Sequence, residues 1–167
     1  MKVFLIAAVT ADGYIARHGD HAADWTSKED KQVFVRLTKE AGVMVMGSRT
    51  FATINRALPE RRTVVYSSKP DHITVPGIEV TNEAPGDLVR RLEKEGANGL
   101  AVCGGATIYD LFMQAGVVDE LYLTVEPVTF GRGITLFNTP LDLSLKLLET
   151  EQLGSNSVLL HYQIANI

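Results

Sequence analysis

Leu100-Ala101-Val102-Cys103-Gly104-Gly105-Ala106-Thr107-Ile108-Tyr109 is the stretch whose reading decides the fold. Four apolar residues run without polar interruption into two glycines and an alanine, and a segment with helical spacing follows over 107–115. A short apolar run without alternation is the pattern of a strand buried on both faces, as in a parallel sheet covered by helices. Small residues where strand turns into helix serve one of two purposes. Either the helix packs closely on the sheet, or a phosphate group approaches the backbone and is held by N–H groups of the first turn. Gly-Gly is not a G-x-G-x-x-G and by itself leaves both open.

The same grammar recurs along the chain. Apolar runs at 3–9, 42–46, 63–66 and 120–128 read as further strands. Between them, residues 27–41 set Val33, Phe34, Leu37 and Ala41 on a three-four rhythm, and 85–95 do so with Leu88 and Leu92. Strands alternating with helices predict an α/β fold. The last fifty residues differ: 144–153 and 157–164 are strand-like, and Leu153-Gly154-Ser155-Asn156-Ser157 reads as a hairpin turn. The expectation is a single domain over 1–167. It is a mostly parallel twisted sheet flanked by helices, with an antiparallel C-terminal hairpin.

Two more strand ends carry candidate ligand groups. Val43-Met44-Val45-Met46 enters Gly47-Ser48-Arg49-Thr50-Phe51, and Val64-Val65-Tyr66 ends in Ser67-Ser68-Lys69-Pro70. In open α/β sheets ligands collect beyond the carboxyl ends of strands. Three such ends bearing Gly, Ser, Thr, Arg and Lys make a cradle for a phosphorylated cofactor. Arg49, Ser68 and Lys69 suit an extra monoester phosphate such as the 2′-phosphate of NADPH.

Composition narrows the function classes. The chain has 167 residues, with 16 Lys plus Arg against 20 Asp plus Glu, a formal net charge of −4. Mild acidity argues against a nucleic-acid grip, which needs a basic face. A single cysteine, Cys103, rules out an internal disulfide framework and a CxxC knuckle. The apolar start of the chain breaks at Thr10-Ala11-Asp12-Gly13, and no stretch approaches the roughly 20 apolar residues of a membrane span. The expectation is a soluble, cytoplasmic protein.

The blocks Leu5-Ile6-Ala7-Ala8, Asp12-Gly13-Tyr14-Ile15, Trp25 with Asp30 and Phe34, and Met46-Gly47-Ser48-Arg49-Thr50-Phe51 follow one another in a recognisable order. So do Leu58-Pro59-Glu60-Arg61, Tyr66-Ser67-Ser68, Gly104-Gly105-Ala106-Thr107-Ile108-Tyr109 and Leu121-Tyr122-Leu123-Thr124. Together they resemble dihydrofolate reductase over nearly the whole chain. The same superfamily includes the pyrimidine reductase of riboflavin synthesis, and Glu126-Pro127-Val128-Thr129-Phe130-Gly131-Arg132-Gly133-Ile134-Thr135-Leu136-Phe137 looks more like that branch.

The resemblance implies NADPH as cofactor, dihydrofolate as substrate, and a role for each matching residue. Asp30 would hold the amino-pyrimidine edge of a pterin and assist protonation at N5, with Thr124 relaying a hydrogen bond to it and Trp25 ordering a water beside it. Tyr109 would lie near the nicotinamide or pack the Gly-Gly helix. Ile6, Ala7, Phe34 and Cys103 would border the substrate, Ile54 and Leu58 would line its aminobenzoyl stem, and Arg61 would clamp a carboxylate. The cofactor would meet Ala8, Ile15, Gly47 to Thr50, Tyr66 to Lys69 and Cys103 to Tyr109. Local reading keeps other uses open. Ser27-Lys28-Glu29-Asp30 is also a capping box, Trp25 a staple, Phe34 plain core and Arg61 a surface cation.

The chain departs from the pattern at several places. Ser48 and Thr107 stand where relatives carry arginine, and Lys31 where the usual residue is apolar. The loop over 16–24 is two residues longer than a bacterial template and precedes Trp25 with Asp24 rather than proline; it reads as the lid over the nicotinamide. His18 and His21 in that loop lack further clustered ligands, and no metal is expected. The alternatives are a riboflavin-pathway pyrimidine reductase using NADPH, in which Arg61 or Arg56 would meet a phosphate, and a non-catalytic NADPH-binding module. Monomer and homodimer stay equally open.

Overall fold

The computed structural model describes residues 1–165. In chain order the elements are β1 (Lys2–Thr10), β2 (Tyr14–Ala16), α1 (Lys28–Ala41), β3 (Val43–Gly47), α2 (Ser48–Ile54) and β4 (Arg62–Tyr66). After a 3₁₀ turn at Pro70–His72 come β5 (Ile78–Thr81), α3 (Pro85–Lys94), β6 (Gly99–Val102), α4 (Ala106–Gln114) and β7 (Glu120–Glu126). Then follow β8 (Ile134–Thr135), β9 (Ser144–Leu153) and β10 (Ser157–Ala165).

Eight strands form one sheet in the order β5-β4-β3-β6-β1-β7-β10-β9. Pairing is parallel from β5 to β7, and β10 is antiparallel to both β7 and β9. The expected mostly parallel sheet with an antiparallel C-terminal hairpin is therefore what forms. In β1 the alternation of side chains explains the unbroken apolar run. Val3, Leu5 and Ala7 enter a core with Leu88 and Leu92 of α3 and Ile108 and Phe112 of α4. Phe4 and Ile6 enter a second core, with Val33 and Leu37 of α1 and Phe51 of α2. Both faces of the strand are covered, so neither set of positions is polar.

Local signals end the helices where expected. Ser27 caps α1, and Gly42 closes it in the left-handed region at φ 79°, donating its N–H to Thr38. Pro85 opens α3, where its missing N–H has no helical partner to lose. Three strands escape the sequence pattern. β2 and β8 have three and two residues and pair only with each other, and β5 is a four-residue edge. β2 and β8 are too short for periodicity to register, and β5, with the alternating sequence Ile78-Glu79-Val80-Thr81, lacks the unbroken apolar run that marks the equally short β6.

Because β4, β3, β6 and β1 are parallel neighbours, their carboxyl ends emerge side by side. That edge carries the site.

Candidate active site

A cleft of about 1520 Å³ opens above this edge, bounded by α1, α2, the first turn of α4, the 16–25 loop and residues 133–135. All the sequence-predicted site residues line it except Thr124, Ser67, Ser68 and Lys69. The last three line an adjoining pocket of about 510 Å³ that shares Ser48, Tyr66, Thr107 and Ile108 with the cleft. Thr124 lies beneath the floor, buried in β7 opposite Ala8 of β1.

Asp30 sits in the first turn of α1, and its side chain borders the cleft. The capping box resolves in favour of Ser27. The Asp30 N–H donates to Ser27 Oγ at 3.1 Å, so the serine does the capping and the Asp30 carboxyl is left for other contacts. Burial pushes that carboxyl above the ordinary aspartate range, helped by the nearby charge of Glu126; the hydroxyls of Thr124 and Thr26 and the Lys31 ammonium pull the other way. A half-buried acid with raised proton affinity is suited to exchanging a proton with a bound heterocycle.

The opposite wall is backbone. Gly104 adopts φ 101°, where a side chain is strained, and a Cβ there would meet the Tyr109 ring at 3.0 Å. A Cβ on Gly105 would lie 3.3 Å from Thr50 Oγ1. The Gly104–Gly105 peptide is cis, and the Gly104 carbonyl accepts the Gly47 N–H at 2.8 Å, tying the β6–α4 and β3–α2 junctions together. No side chain caps α4, so its leading N–H groups and dipole face the cleft. Tyr66 contributes a phenol that is buried without a hydrogen-bond partner, and burial pushes it up to about 12. Bare backbone, an uncapped helix start and an orphan phenol, with Arg49 and Lys69 at the two pockets, fit a phosphorylated dinucleotide.

Tyr109 faces inward. Its hydroxyl donates to the Ile6 carbonyl at 2.7 Å and its ring packs on Gly104, while the residue also lines the cleft. Cys103 closes β6 beside it, and burial pushes its thiol well up, which keeps it unreactive. Along α1, Phe34 stands one turn beyond Asp30 on the cleft side, with Ile54 and Leu58 from across. Arg61 is oriented by two bonds, Nε to the Pro59 carbonyl at 3.0 Å and Nη1 to Thr38 Oγ1 at 3.1 Å. Fixed in this way, the remaining guanidinium donors are preorganised for an oxyanion.

Phe130, to which the linear sequence assigns no part in the site, organises the loop over the cleft. Trp25 meets its ring edge-on at 5.2 Å, His21 at 5.8 Å, and the Arg17 guanidinium covers it at 4.1 Å. The Asp12 carboxylate anchors the same segment by accepting the Phe130 and Gly131 N–H groups. Glu126 is a second group that the residue pattern leaves outside the site. It is buried two residues beyond Thr124 on the same face of β7, a position that period-2 reading of Thr124-Val125-Glu126 does mark. Among the described residues, no cluster of three or more His, Cys, Asp or Glu could hold a metal ion. No helix among them is long and apolar enough to cross a membrane.

Dihydrofolate reductase type 3 of Salmonella typhimurium is 34% identical to this chain over 124 residues, 74% of this chain and 71% of the relative. A pyrimidine reductase-like protein from Corynebacterium diphtheriae superposes with a TM-score of 0.82 at 15% identity, covering 99% of this chain and 92% of that one. Dihydrofolate reductase from Enterococcus faecalis, solved with NADP(H), superposes with a TM-score of 0.73 at 24% identity over 99% and 97% of the two chains. Residues 1–159 match the model of the RibD C-terminal domain, and the chain belongs to that family, in the superfamily it shares with the dihydrofolate reductases.

Proposed function

We propose that this protein is an NADPH-dependent oxidoreductase that reduces 7,8-dihydrofolate to tetrahydrofolate. The observation that carries the reading is the Asp30 carboxyl: released from capping, raised in proton affinity, and facing the cleft that the uncapped α4 also borders. The name of the Salmonella relative points the same way. Arg49, Ser68 and Lys69 would hold a monoester phosphate of the cofactor, and the start of α4 its diphosphate. Bound NADPH would supply a hydride, which adds to pterin C6 while a proton adds to N5, so the C=N bond is saturated with no other atom gained or lost.

The chain's own residues do the rest. The Asp30 carboxyl meets the N–H/NH₂ edge of the ring, accepting two parallel hydrogen bonds when ionised; its protonated form, which its raised proton affinity favours, assists protonation at N5. The Thr124 hydroxyl, on β7, favours the charged form of the Asp30 carboxyl. Phe34, Ile54 and Leu58 give the flat substrate an apolar wall, and Arg61 receives a carboxylate at its far end. Phe130, Trp25 and the loop they brace exclude water from above. No side chain needs to be a nucleophile.

A second reading has a specific observation behind it. Lys31, Lys39, Arg56 and Arg61 all border the substrate arm of the cleft. Four cations there suit the phosphate of a ribosylaminopyrimidine, the substrate type of a riboflavin-pathway pyrimidine reductase. Loss of the reduced-nicotinamide absorbance, measured with each substrate, separates the two. Dihydrofolate-dependent oxidation, cut about a hundredfold or more by Asp30→Asn with NADPH affinity within about twofold, is the expected result. Turnover of the pyrimidine alone would sink the folate reading. Binding of NADPH with neither substrate reduced would leave only a cofactor-binding module.

A further inference from the structure

Glu126 is, among the described residues, the most deeply buried carboxyl, and this reaction has no assigned use for it. It is 2% exposed, at the end of β7. Its oxygens accept from two serine hydroxyls, Ser27 Oγ at 2.8 Å and Ser157 Oγ at 3.1 Å, rather than from a cation. A carboxylate kept inside on serine hydroxyls destabilises a fold relative to an apolar side chain of the same size, so stability does not account for it.

The connection runs to the site. Ser27 has one proton and gives it to Glu126, while its lone pair receives the Asp30 N–H. One hydroxyl thus links β7 to the first turn of α1. The groups that act on the Asp30 carboxyl are Thr26 and Lys31 from its own segment and Thr124 and Glu126 from β7, and Asp30 in turn acts on the Tyr109 phenol of α4. Of the two charges acting on it, Glu126 outweighs Lys31.

We propose that Glu126 is a positioning residue for Asp30, holding the first turn of α1 through the Ser27 hydroxyl and setting a second carboxylate beside the active-site one. The inference rests on the reading of Asp30 as the active-site acid. Its consequence is that Asp30 keeps its proton to higher pH than burial alone would allow, which extends the pH range over which a proton stands ready for N5.

Carbon NMR of the free protein, with the Asp30 carboxyl signal assigned by its disappearance in Asp30→Asn, follows this group through a pH titration. Glu126→Gln is expected to move the Asp30 midpoint to lower pH. In NADPH-dependent dihydrofolate turnover the alkaline fall of kcat is expected to move to lower pH by the same amount as the midpoint, with the KM for NADPH within about twofold. Glu126→Asp keeps a carboxylate for the serines but withdraws it from Asp30; it shifts the midpoint less, in the same direction, and serves if the amide variant does not fold. An unmoved midpoint in the variants that fold overturns the proposal, even where their melting temperatures fall. Should the wild type fail to reduce dihydrofolate, the folate reading is lost, and the titration of the free protein still decides the role of Glu126.

Discussion

At the scale of the residue, Asp30 shows how one side chain is diverted from a local duty to a distant one. A capping box offers two reciprocal bonds, and the one made here runs from the Asp30 N–H to the Ser27 hydroxyl. The carboxyl then comes under the influence of the Thr124 hydroxyl, a residue 94 positions on by the numbering, which no local pattern connects to it. Its raised proton affinity has a cost to the fold. The native state binds this proton more tightly than the unfolded chain does, so Asp30 lowers stability progressively as pH rises from the ordinary aspartate range through its raised one. Asp30→Asn is therefore expected to stabilise the protein at pH 7, by roughly 0.5–2 kcal/mol, while abolishing most turnover; thermal melts at pH 4 and pH 7 check that the gain appears only at the higher pH. Thr124→Val removes a hydroxyl that favours the charged form, and the fall of kcat at alkaline pH is expected to move to higher pH. A pH profile identical to that of the wild type would show that Thr124 is only strand.

At the scale of the element, the β6–α4 junction is the most constrained piece of the chain. Gly104 is at φ 101° with the Tyr109 ring against it, while Tyr109 in turn is anchored on the Ile6 carbonyl. Gly104→Ala strains the backbone and displaces an aromatic ring from the core, so a loss of about 2–4 kcal/mol is expected in denaturant unfolding. NADPH affinity should fall with it, because the start of α4 moves. A variant with wild-type stability and affinity would mean that this close approach is not required. The hairpin at the other end of the sheet behaves differently: β9 is exposed along almost its whole length and has no part in the cleft.

At the scale of the whole molecule, the sheet separates two apolar cores, and the cleft lies where the parallel strands between them end. A ligand seated there touches α1, α2, α4 and three strand ends at once, so it binds only the folded state. NADPH at about 100 times its Kd is expected to add about 2.7 kcal/mol to stability, read as a melting temperature raised by about 5–10 °C, with NADH raising it less if Arg49 and Lys69 meet a 2′-phosphate. Equal shifts with the two nucleotides would remove that role from the pair. Much of this architecture is legible in the chain, because unbroken apolar runs alternating with three-four periodicity leave few alternatives to a covered parallel sheet. The glycine junctions are legible too, since a backbone that must approach a neighbour closely excludes side chains. What the linear order does not contain is which polar groups meet. Asp30, Thr124 and Glu126 come together because α1 packs across β6, β3 and β1 with its first turn at the end of β7, and the Ser27 proton goes to Glu126 only in that arrangement. Propensity and periodicity act over a few residues and so appear in the sequence; desolvation and charge proximity act between segments far apart in the chain and exist only after it has folded.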